Sequence, residues 1–212
     1  MQDLLEVTGI VIKSEPSGEY DRRVVILTKQ MGKISCFAKG ARKINNRFMA
    51  STLPFSFGEF KLYAGRNSYS LNEANISNYF EELKNDFEKA TIGMYFLEIA
   101  DYFTRENNDE IQMLKLVYQS LKALVSNKFN INLVRSIFEI KAICINGEYP
   151  GIDASLYEES TVYAMDYIYK TSVEKLYTFT VSESVLSQMM LIAKNLIRRF
   201  VDRPLKSLEL IE

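Results

Sequence analysis

Histidine is absent from all 212 residues of the chain. Catalytic arrangements that need a histidine base, such as Ser-His-Asp and Cys-His, are therefore excluded. The side chain that most often binds metal ions is missing as well. The chain has only two cysteines, Cys36 and Cys144, far apart in the sequence. Because a structural zinc site needs about four Cys or His ligands close together, we expect no metal.

The few cysteines also indicate a compartment. Two separated cysteines do not form the paired pattern of a disulfide framework, which favours a reducing environment. We expect each to pack as a small apolar side chain. Residues 1–6 show no basic segment before an apolar run, and the chain has no 18-residue apolar stretch. The sequence therefore predicts a cytoplasmic protein without a membrane span.

Motifs for nucleotide cofactors are missing too. The sequence contains neither GxxxxGK[ST] nor GxGxxG, so we expect no cofactor. The paired carboxylates at 81–82 and 158–159 are typical of exposed charge. We therefore expect no catalysis. An enzyme that uses carboxylates and lysine is the remaining catalytic alternative, and no residue spacing supports it.

Charge is distributed unevenly along the chain. The formal net charge is −1, yet residues 1–80 have 11 Lys+Arg against 7 Asp+Glu, a net of +4. Residues 81–212 have 15 against 20, a net of −5. Within 19–47, eight basic residues face only Glu19 and Asp21. This asymmetry favours a polyanionic partner for the first part, with an ordinary solvated surface as the alternative.

Residues 1–80 have the pattern of a small β-domain. Turn-forming residues at 16–18, 31–32, 40 and 65–67 separate five segments rich in β-branched and aromatic residues. Five short strands in about 80 residues predict a small barrel such as an OB-fold. The predicted strands are Leu5–Lys13, Tyr20–Thr28, Gly32–Lys39, Phe55–Tyr63 and Ser68–Ile76.

From residue 81 the apolar residues follow a helical period. We predict an α+β protein with an OB-fold domain at 1–80 and an α-helical domain at 81–212, in which 151–180 is irregular. Asp109 and Ser182 are the predicted N-caps of the second and fourth helices. The four apolar stripes lie within Leu83–Leu97, Ile111–Val125, Leu133–Ala142 and Leu186–Phe200.

The third predicted strand has the composition of a nucleic-acid surface. Side chains alternate across a strand, so Ile34, Cys36 and Ala38 should face the core. Lys33, Ser35, Phe37 and Lys39 should then share the other face. Ammonium groups beside an aromatic ring suit single-stranded nucleic acid, with charge for phosphate and a ring for base stacking. A solvated face with one packed Phe is the alternative.

A basic loop follows this strand directly. Arg42, Lys43 and Arg47 lie within Gly40–Arg47, where flexible cations suit phosphate contacts that are independent of base sequence. A solvated surface loop is the alternative. Of the neighbours Arg22 and Arg23, opposite strand faces allow only one to join the same surface. The candidate DNA-binding residues are Arg22, Arg23, Lys33, Phe37, Lys39, Arg42, Lys43 and Arg47.

These segments resemble the RecO family of bacterial recombination mediators. The order and spacing of Gly18–Arg22, Gly32–Ile34, Ala38–Lys43 and Leu53–Phe55 are similar to those of the RecO N-terminal domain. Leu71, Glu73 and Ala74 resemble its fifth strand. Weaker similarity continues at Phe138-Glu139, at Gly147–Pro150 and at Arg203–Ser207.

The resemblance implies a function. RecO proteins have an N-terminal OB-fold and a helical C-terminal domain, bind single- and double-stranded DNA, and promote annealing. They act in the RecF pathway of DNA repair and recombination, in the response to DNA damage and the SOS response. Their partners are RecR, the acidic C-terminal tail of single-strand-binding protein and, indirectly, RecA. The alternatives are a protein-only adaptor and a general OB-fold single-strand-binding protein.

The resemblance also suggests a partner site and shows one departure. Arg135, just before Phe138-Glu139, lies near the expected position for a carboxylate of the single-strand-binding protein tail. Many family members have a four-cysteine zinc knuckle after the Tyr-x-Pro stretch, whereas residues 151–180 here contain no cysteine. We interpret 151–180 as a degenerate knuckle without metal, in which packing of tyrosines replaces the zinc: Tyr157, Tyr163, Tyr167 and Tyr169.

Overall fold

The computed structural model describes residues 4–65 and 68–210. The chain divides into two compact units. The barrel unit contains residues up to Asn85 together with Phe103–Leu114, and the helical unit contains Asp86–Tyr102 together with residues from Lys115 onward. The turn predicted at 65–67 lies mostly outside the described residues.

Five strands close the barrel in the order β1-β2-β3-β5-β4. Neighbouring strands are antiparallel except β3 and β5, which are parallel. This arrangement is the OB-like barrel that the turn spacing predicts, so the predicted fold class is confirmed. The strands are β1 (Leu4–Ser17), β2 (Asp21–Thr28), β3 (Gly32–Ala38), β4 (Phe57–Ala64) and β5 (Tyr69–Asn78).

The interior of the barrel follows from the two-residue period of its strands. Inward positions carry apolar side chains, most of them β-branched, leucine or small, that are almost fully buried. Burying one such large side chain contributes about 1.5–3 kcal/mol. Two residues of the loop between β3 and β4, Ala41 and Phe48, join this core and fix the loop against the barrel. The strand residues are Val7, Val11, Val24, Ile26, Ile34, Cys36, Ala38, Phe60, Leu62 and Leu71.

The described residues form five α-helices after the barrel strands, and none of these helices is long and apolar enough to cross a membrane. Asp109 accepts a hydrogen bond from the backbone N–H of Ile111 at 3.2 Å, and Ser182 accepts one from Val185 at 3.3 Å, as the cap predictions require. The helices are α1 (Phe87–Phe103), α2 (Ile111–Val125), α3 (Ile131–Ile145), α4 (Glu159–Lys170) and α5 (Glu183–Phe200).

Helix α3 is the centre of the helical unit. Its buried residues run consecutively from Ser136 to Ile143, so they cover every side of the helix. A helix that is buried all round needs neighbours on all sides. One of these neighbours is α1, whose Phe96 ring stacks on Phe138 with 4.0 Å between ring centroids.

The expectation of irregular structure throughout 151–180 is wrong. Residues 159–170 form α4, whose buried side chains Thr161, Ala164, Met165 and Ile168 repeat at helical spacing. The alternation of apolar residues from Val162 to Tyr169 obscures this stripe, because it resembles a strand period. A Thr and an Ala on the buried face weaken the helical signal further.

The C-terminal segment that resembles the family signature is anchored on α1. The carboxylate of Glu98 accepts hydrogen bonds from the backbone N–H groups of Lys206, at 2.9 Å, and Ser207, at 3.0 Å. Arg203 forms an ion pair with Asp101 at 3.3 Å. These contacts give residues 203–207 a structural role within the helical unit.

We expect Gly32→Ala to destabilise the protein strongly. Gly32 has a φ of 63°, and a Cβ there would lie 2.3 Å from the carbonyl oxygen of Arg105. The expected loss in unfolding free energy is about 3 kcal/mol, from backbone strain plus the steric clash. Gly18→Ala is the matched control, because Gly18 has a φ of 61° and no atom within 4 Å of its Cβ position. Its expected loss is about 1 kcal/mol.

Urea unfolding measures the free energy of unfolding of both variants. Equal losses in the two variants would mean that the approach of Gly32 to the Arg105 carbonyl oxygen does not require a glycine.

Candidate functional site

Strand β3 separates core from surface as its alternation predicts, but it ends at Ala38, so Lys39 lies in the following turn instead of on the strand face. Ile34, Cys36 and Ala38 are at most 1% exposed and face the barrel interior. Lys33 and Phe37 lie on the outside and are half-buried. Phe37 therefore presents part of its ring to the outer surface of the barrel, next to cationic side chains.

The two adjacent arginines of β2, Arg22 and Arg23, lie on opposite faces of the strand. Arg23 is exposed on the outside, pairs in register with Phe37, and donates from Nε to Ser35 Oγ at 2.9 Å. We call Arg23, Lys33, Ser35 and Phe37 the strand surface. Arg22 has the inward parity of β2 and donates to the carbonyl oxygen of Met49 at 2.8 Å. Only Arg23 therefore belongs to the strand surface.

Arg22 lies close to another cation. Burial, and then the positive charge of Arg42, lower the pKa of Arg22 below its ordinary value. Arg22 also donates to Thr52 Oγ1 at 2.9 Å, but no carboxylate among the described residues forms an ion pair with either arginine, so no negative charge offsets their mutual repulsion. An anion bound beside them would relieve this repulsion.

The remaining cations project from residues 39–56, which we call the rim loop. Arg42 donates from Nη1 to the carbonyl oxygen of Gly18 at 3.2 Å. The ammonium of Lys43 lies 4.9 Å from the centroid of the Tyr20 ring. Both contacts bring the loop to the turn between β1 and β2. Lys39, Arg42 and Lys43 are all exposed.

Arg47 is on another part of the rim. It donates from Nη2 to the carbonyl oxygen of Asn72 in β5 at 2.7 Å, and its guanidinium lies 4.6 Å from the centroid of the Phe48 ring. Its partners are a neutral carbonyl and an aromatic ring, and no ion pair with a carboxylate is present among the described residues. The rim cations thus extend from the turn between β1 and β2 to β5.

Ion pairing distinguishes these cations from lysines elsewhere on the barrel. Lys13 pairs with Glu15 at 2.8 Å and Lys61 with Glu73 at 3.0 Å. Over residues 4–65 and 68–210, by contrast, no carboxylate lies within 4.0 Å of the following candidate cations: Arg22, Arg23, Lys39, Arg42, Lys43 and Arg47.

A cavity of about 620 Å³ adjoins the strand surface. Arg23, Ser35 and Phe37 line it on one side, and Tyr69 and Glu106 line it on another. Burial, followed by the charge of Glu106 and a hydrogen bond to its side chain, raises the pKa of Tyr69. Sequence reasoning missed Glu106, because nothing in the pattern of residues 103–110 places it beside β5.

Arg135 lies in a groove between α3 and α5. This groove has a volume of about 270 Å³ and is lined by both helices. On α5, Met190 is 39% exposed and Leu191 is 54% exposed, with Lys194 beside them. The sequence pattern does not predict these groove residues, because they fall beside the apolar stripe of α5. That stripe consists of Leu186, Met189, Ala193, Leu196 and Phe200. The groove combines exposed apolar side chains with two cationic ones.

Arg135 already has one carboxylate partner. Its Nε donates to Glu139 Oε1 at 2.9 Å, and the hydroxyl of Tyr95 donates to the same oxygen at 2.6 Å. Burial lowers the pKa of Arg135, but the charge of Glu139 and its hydrogen bond outweigh that effect and raise it. The guanidinium is thus held charged at the edge of the groove. Reception of a partner's carboxylate there stays a prediction.

The chain's residues do not fit the zinc that the resemblance implies for many family members. Residues 151–180 contain no cysteine, and among the described residues no group of three or more His, Cys, Asp or Glu side chains is suitable for a metal. Cys144 lies outside this segment, and burial raises the pKa of its thiol to about 11.

Two of the four tyrosines predicted to pack in place of the zinc contact other aromatic rings, and replacement of the metal by this packing stays a prediction. Tyr167 packs edge-on against Phe179 with 5.2 Å between centroids, and Tyr169 packs against Tyr149 at 5.4 Å. Tyr163 is 72% exposed, so it does not contribute to such packing. It lies on the outer side of α4, away from the buried stripe of that helix.

The comparisons with known proteins agree with this architecture. Residues 1–80 match the family model described as Recombination protein O N terminal, and residues 84–156 match Recombination protein O C terminal. A DNA repair protein RecO from Acetivibrio thermocellus is 27% identical over 242 residues, covering 98% of this chain and 96% of the relative. The same protein of Clostridium novyi is 26% identical, with 98% and 93% covered. That of Shouchella clausii is 30% identical over 145 residues, with 68% and 56% covered.

An OB-like barrel followed by a helical unit is the two-part architecture of this chain. Both parts of the chain match models of a single recombination and repair family, in the order barrel and then helices. The chain belongs to the RecO family.

We expect both cysteines to react slowly in the folded protein. Burial raises the pKa of Cys36 to about 12 and that of Cys144 to about 11. Because the thiolate is the reactive form, Ellman's reagent at pH 8 should react at least about 100-fold more slowly than in urea. The rate of Cys144 should rise about tenfold per pH unit toward 10, since its thiol deprotonates only near its raised pKa. In a Cys36→Ala variant, the reaction with Ellman's reagent reports Cys144 alone. A fast reaction of the folded protein at pH 8 would contradict the burial of the thiols.

Proposed function

We propose that this chain is a non-catalytic recombination mediator of DNA repair, which binds DNA through its barrel unit and repair proteins through its helical unit. It acts in the bacterial cytoplasm, at the nucleoid. One observation carries the proposal: the rim loop presents cations that have no carboxylate partner among the described residues, next to a strand surface with an aromatic ring.

The rim loop is suited to the phosphate backbone. Arg42 and Lys43 lie at the turn between β1 and β2, and Arg47 lies at β5, so a strand crossing the rim meets several cations in succession. Because their protein partners are neutral, their charges are available to phosphates. Such contacts release counterions and give an affinity that falls with salt and depends little on base sequence.

The strand surface is suited to bases. Phe37 offers a ring face for stacking, and every base has a π-face, so the contact tolerates any sequence. Glu106 in the adjoining cavity repels phosphate, which directs the backbone toward the rim and the bases toward Phe37. This division of roles supports binding of single strands, and binding of double strands through the rim alone.

Annealing follows from charge neutralisation. Two complementary strands repel each other through their phosphates, and cations along the rim reduce that repulsion. No proton or group transfer is needed, in keeping with a mediator that has no active site. Loading of RecA, in cooperation with RecR, onto DNA coated with single-strand-binding protein is the cellular role that we propose for this activity.

The groove between α3 and α5 is suited to the acidic tail of single-strand-binding protein. Met190 and Leu191 offer apolar contacts, while Arg135 and Lys194 offer positive charge for carboxylates. An apolar groove with cations at its edge is a common way to capture a short acidic peptide. The groove therefore supports a partner role for the helical unit.

We expect the Arg42→Ala/Lys43→Ala double variant to bind single-stranded DNA more weakly, whatever its sequence. Loss of two phosphate contacts should reduce the slope of log affinity against log salt concentration by about 1.4. Fluorescence anisotropy with a labelled oligonucleotide, over a salt series, measures both quantities. The matched control is Lys13→Ala/Lys61→Ala, which removes the same charge from lysines that are paired with Glu15 and Glu73.

An unchanged salt slope in the rim-loop variant would count against the DNA interface. Equal effects of the two double variants would mean that net charge, rather than the rim loop, determines binding. No binding of wild-type protein at micromolar concentration and low salt would favour the protein-only adaptor instead.

We expect Leu191→Ser/Lys194→Ala to weaken binding of a labelled peptide with the sequence of the single-strand-binding protein tail at least about tenfold, because both an apolar and a cationic contact are lost. Arg199→Ala is the control, since it removes a cation from the same helix outside the groove. Arg135 is left intact, because it forms an ion pair with the buried Glu139 and its loss would perturb the interior of the helical unit as well as the groove. Equal affinity of the double variant and wild type would exclude this groove as the peptide site.

A further inference from the structure

A buried ammonium group ties two distant segments of the helical unit together. Lys141 on α3 is 7% exposed. Its Nζ donates to the carbonyl oxygens of Ile168 at 2.9 Å, Tyr169 at 3.1 Å and Thr171 at 2.7 Å. These three bonds use all three hydrogens of the ammonium. Within the described part of the chain, no carboxylate lies within 4.0 Å of it.

The acceptors are at the C-terminal end of α4. The last carbonyl groups of a helix have no partner within the helix, and the helix dipole makes that end negative. A cation at this position therefore meets both a hydrogen-bonding need and a favourable electrostatic potential. Because Lys141 belongs to α3, its ammonium connects the end of α4 to the central helix of the unit.

A second contact joins the same segments. The rings of Tyr149 and Tyr169 lie 5.4 Å apart between centroids. Tyr149 precedes the 151–180 segment directly, and Tyr169 lies next to the carbonyl groups that Lys141 binds. Both ends of 149–171 are thus brought together at the C-terminal part of α3.

The donors at this position do not suit zinc. Three backbone carbonyl oxygens are poor zinc ligands in comparison with thiolate and imidazole. Cys144, one turn from Lys141 on α3, is a lone thiol beside a positive charge. A divalent cation would be repelled by the ammonium that already occupies the carbonyl groups.

We propose that the Lys141 ammonium takes the structural place that zinc has in the knuckle-bearing members of the family, so that the helical unit of this chain folds without metal. The Lys141 ammonium links α3 to the end of α4, about 30 residues further along the chain. Here the links are charge-assisted hydrogen bonds to a helix end, instead of metal–thiolate bonds. The inference does not depend on the proposed function of the barrel unit.

The test compares Lys141→Met with Lys170→Met. Methionine is about as long as the lysine stem but donates no hydrogen bond, so Lys141→Met leaves three carbonyl groups without a donor. We expect it to lower the melting temperature by roughly 10 °C. Lys170 is an exposed residue of α4 that pairs with Asp166, so Lys170→Met should change the melting temperature by less than about 2 °C.

Limited proteolysis adds a local measurement. Chymotrypsin cleaves after tyrosine, and Tyr163 and Tyr169 on α4 are both exposed. Cleavage within 151–171 should accelerate at least about tenfold in Lys141→Met and remain unchanged in Lys170→Met, since local opening governs access. Equal melting temperatures and equal cleavage rates in the two variants would overturn the proposal.

Wild-type protein provides a measurement that does not depend on whether Lys141→Met folds. Elemental analysis of the purified protein should find much less than one zinc per chain. Its melting temperature, and its refolding from urea, should be the same with and without 1,10-phenanthroline. One bound zinc per chain, or a lower melting temperature in the chelator, would refute replacement of the metal by Lys141.

Discussion

The two-residue period of β3 is the constraint on which the barrel surface depends. Small and β-branched side chains on one side fill a closed interior, so the side chains between them must face outward. A shift of one residue would bury Lys33 and expose Ile34, at a large cost in desolvation. The requirement to close the core therefore also fixes the outward position of Phe37. Core packing and the candidate interface are two consequences of one pattern.

Helix α3 imposes a comparable constraint on the helical unit. It carries two charged side chains inside the unit, Glu139 and Lys141, and each is satisfied by a different neighbour. Glu139 binds the hydroxyl of Tyr95 on α1, whereas Lys141 binds the carbonyl groups at the end of α4. Because an unsatisfied buried charge is very costly, these contacts define where α1 and α4 meet the central helix.

Local pattern was sufficient to predict the five strands, the barrel and four of the five helices, because each element has a clear period and marked ends. The β3 alternation likewise predicted which side chains face outward. Helix α4 was missed, since Thr161 and Ala164 give its buried face a weak apolar signal. The place of Glu106 beside β5, and the groove around Leu191, depend on contacts between elements distant in sequence. No local period contains that information.

The parallel contact between β3 and β5 is the shortest in the barrel. Among the described residues it consists of two register pairs, Cys36 with Tyr69 and Phe37 with Ser70, whereas every residue of β3 pairs with β2. Separating this seam costs the fewest backbone hydrogen bonds, so amide protons there should exchange with solvent ahead of those between β2 and β3. Once parted, the barrel becomes a curled sheet with two free edges, each able to accept another strand.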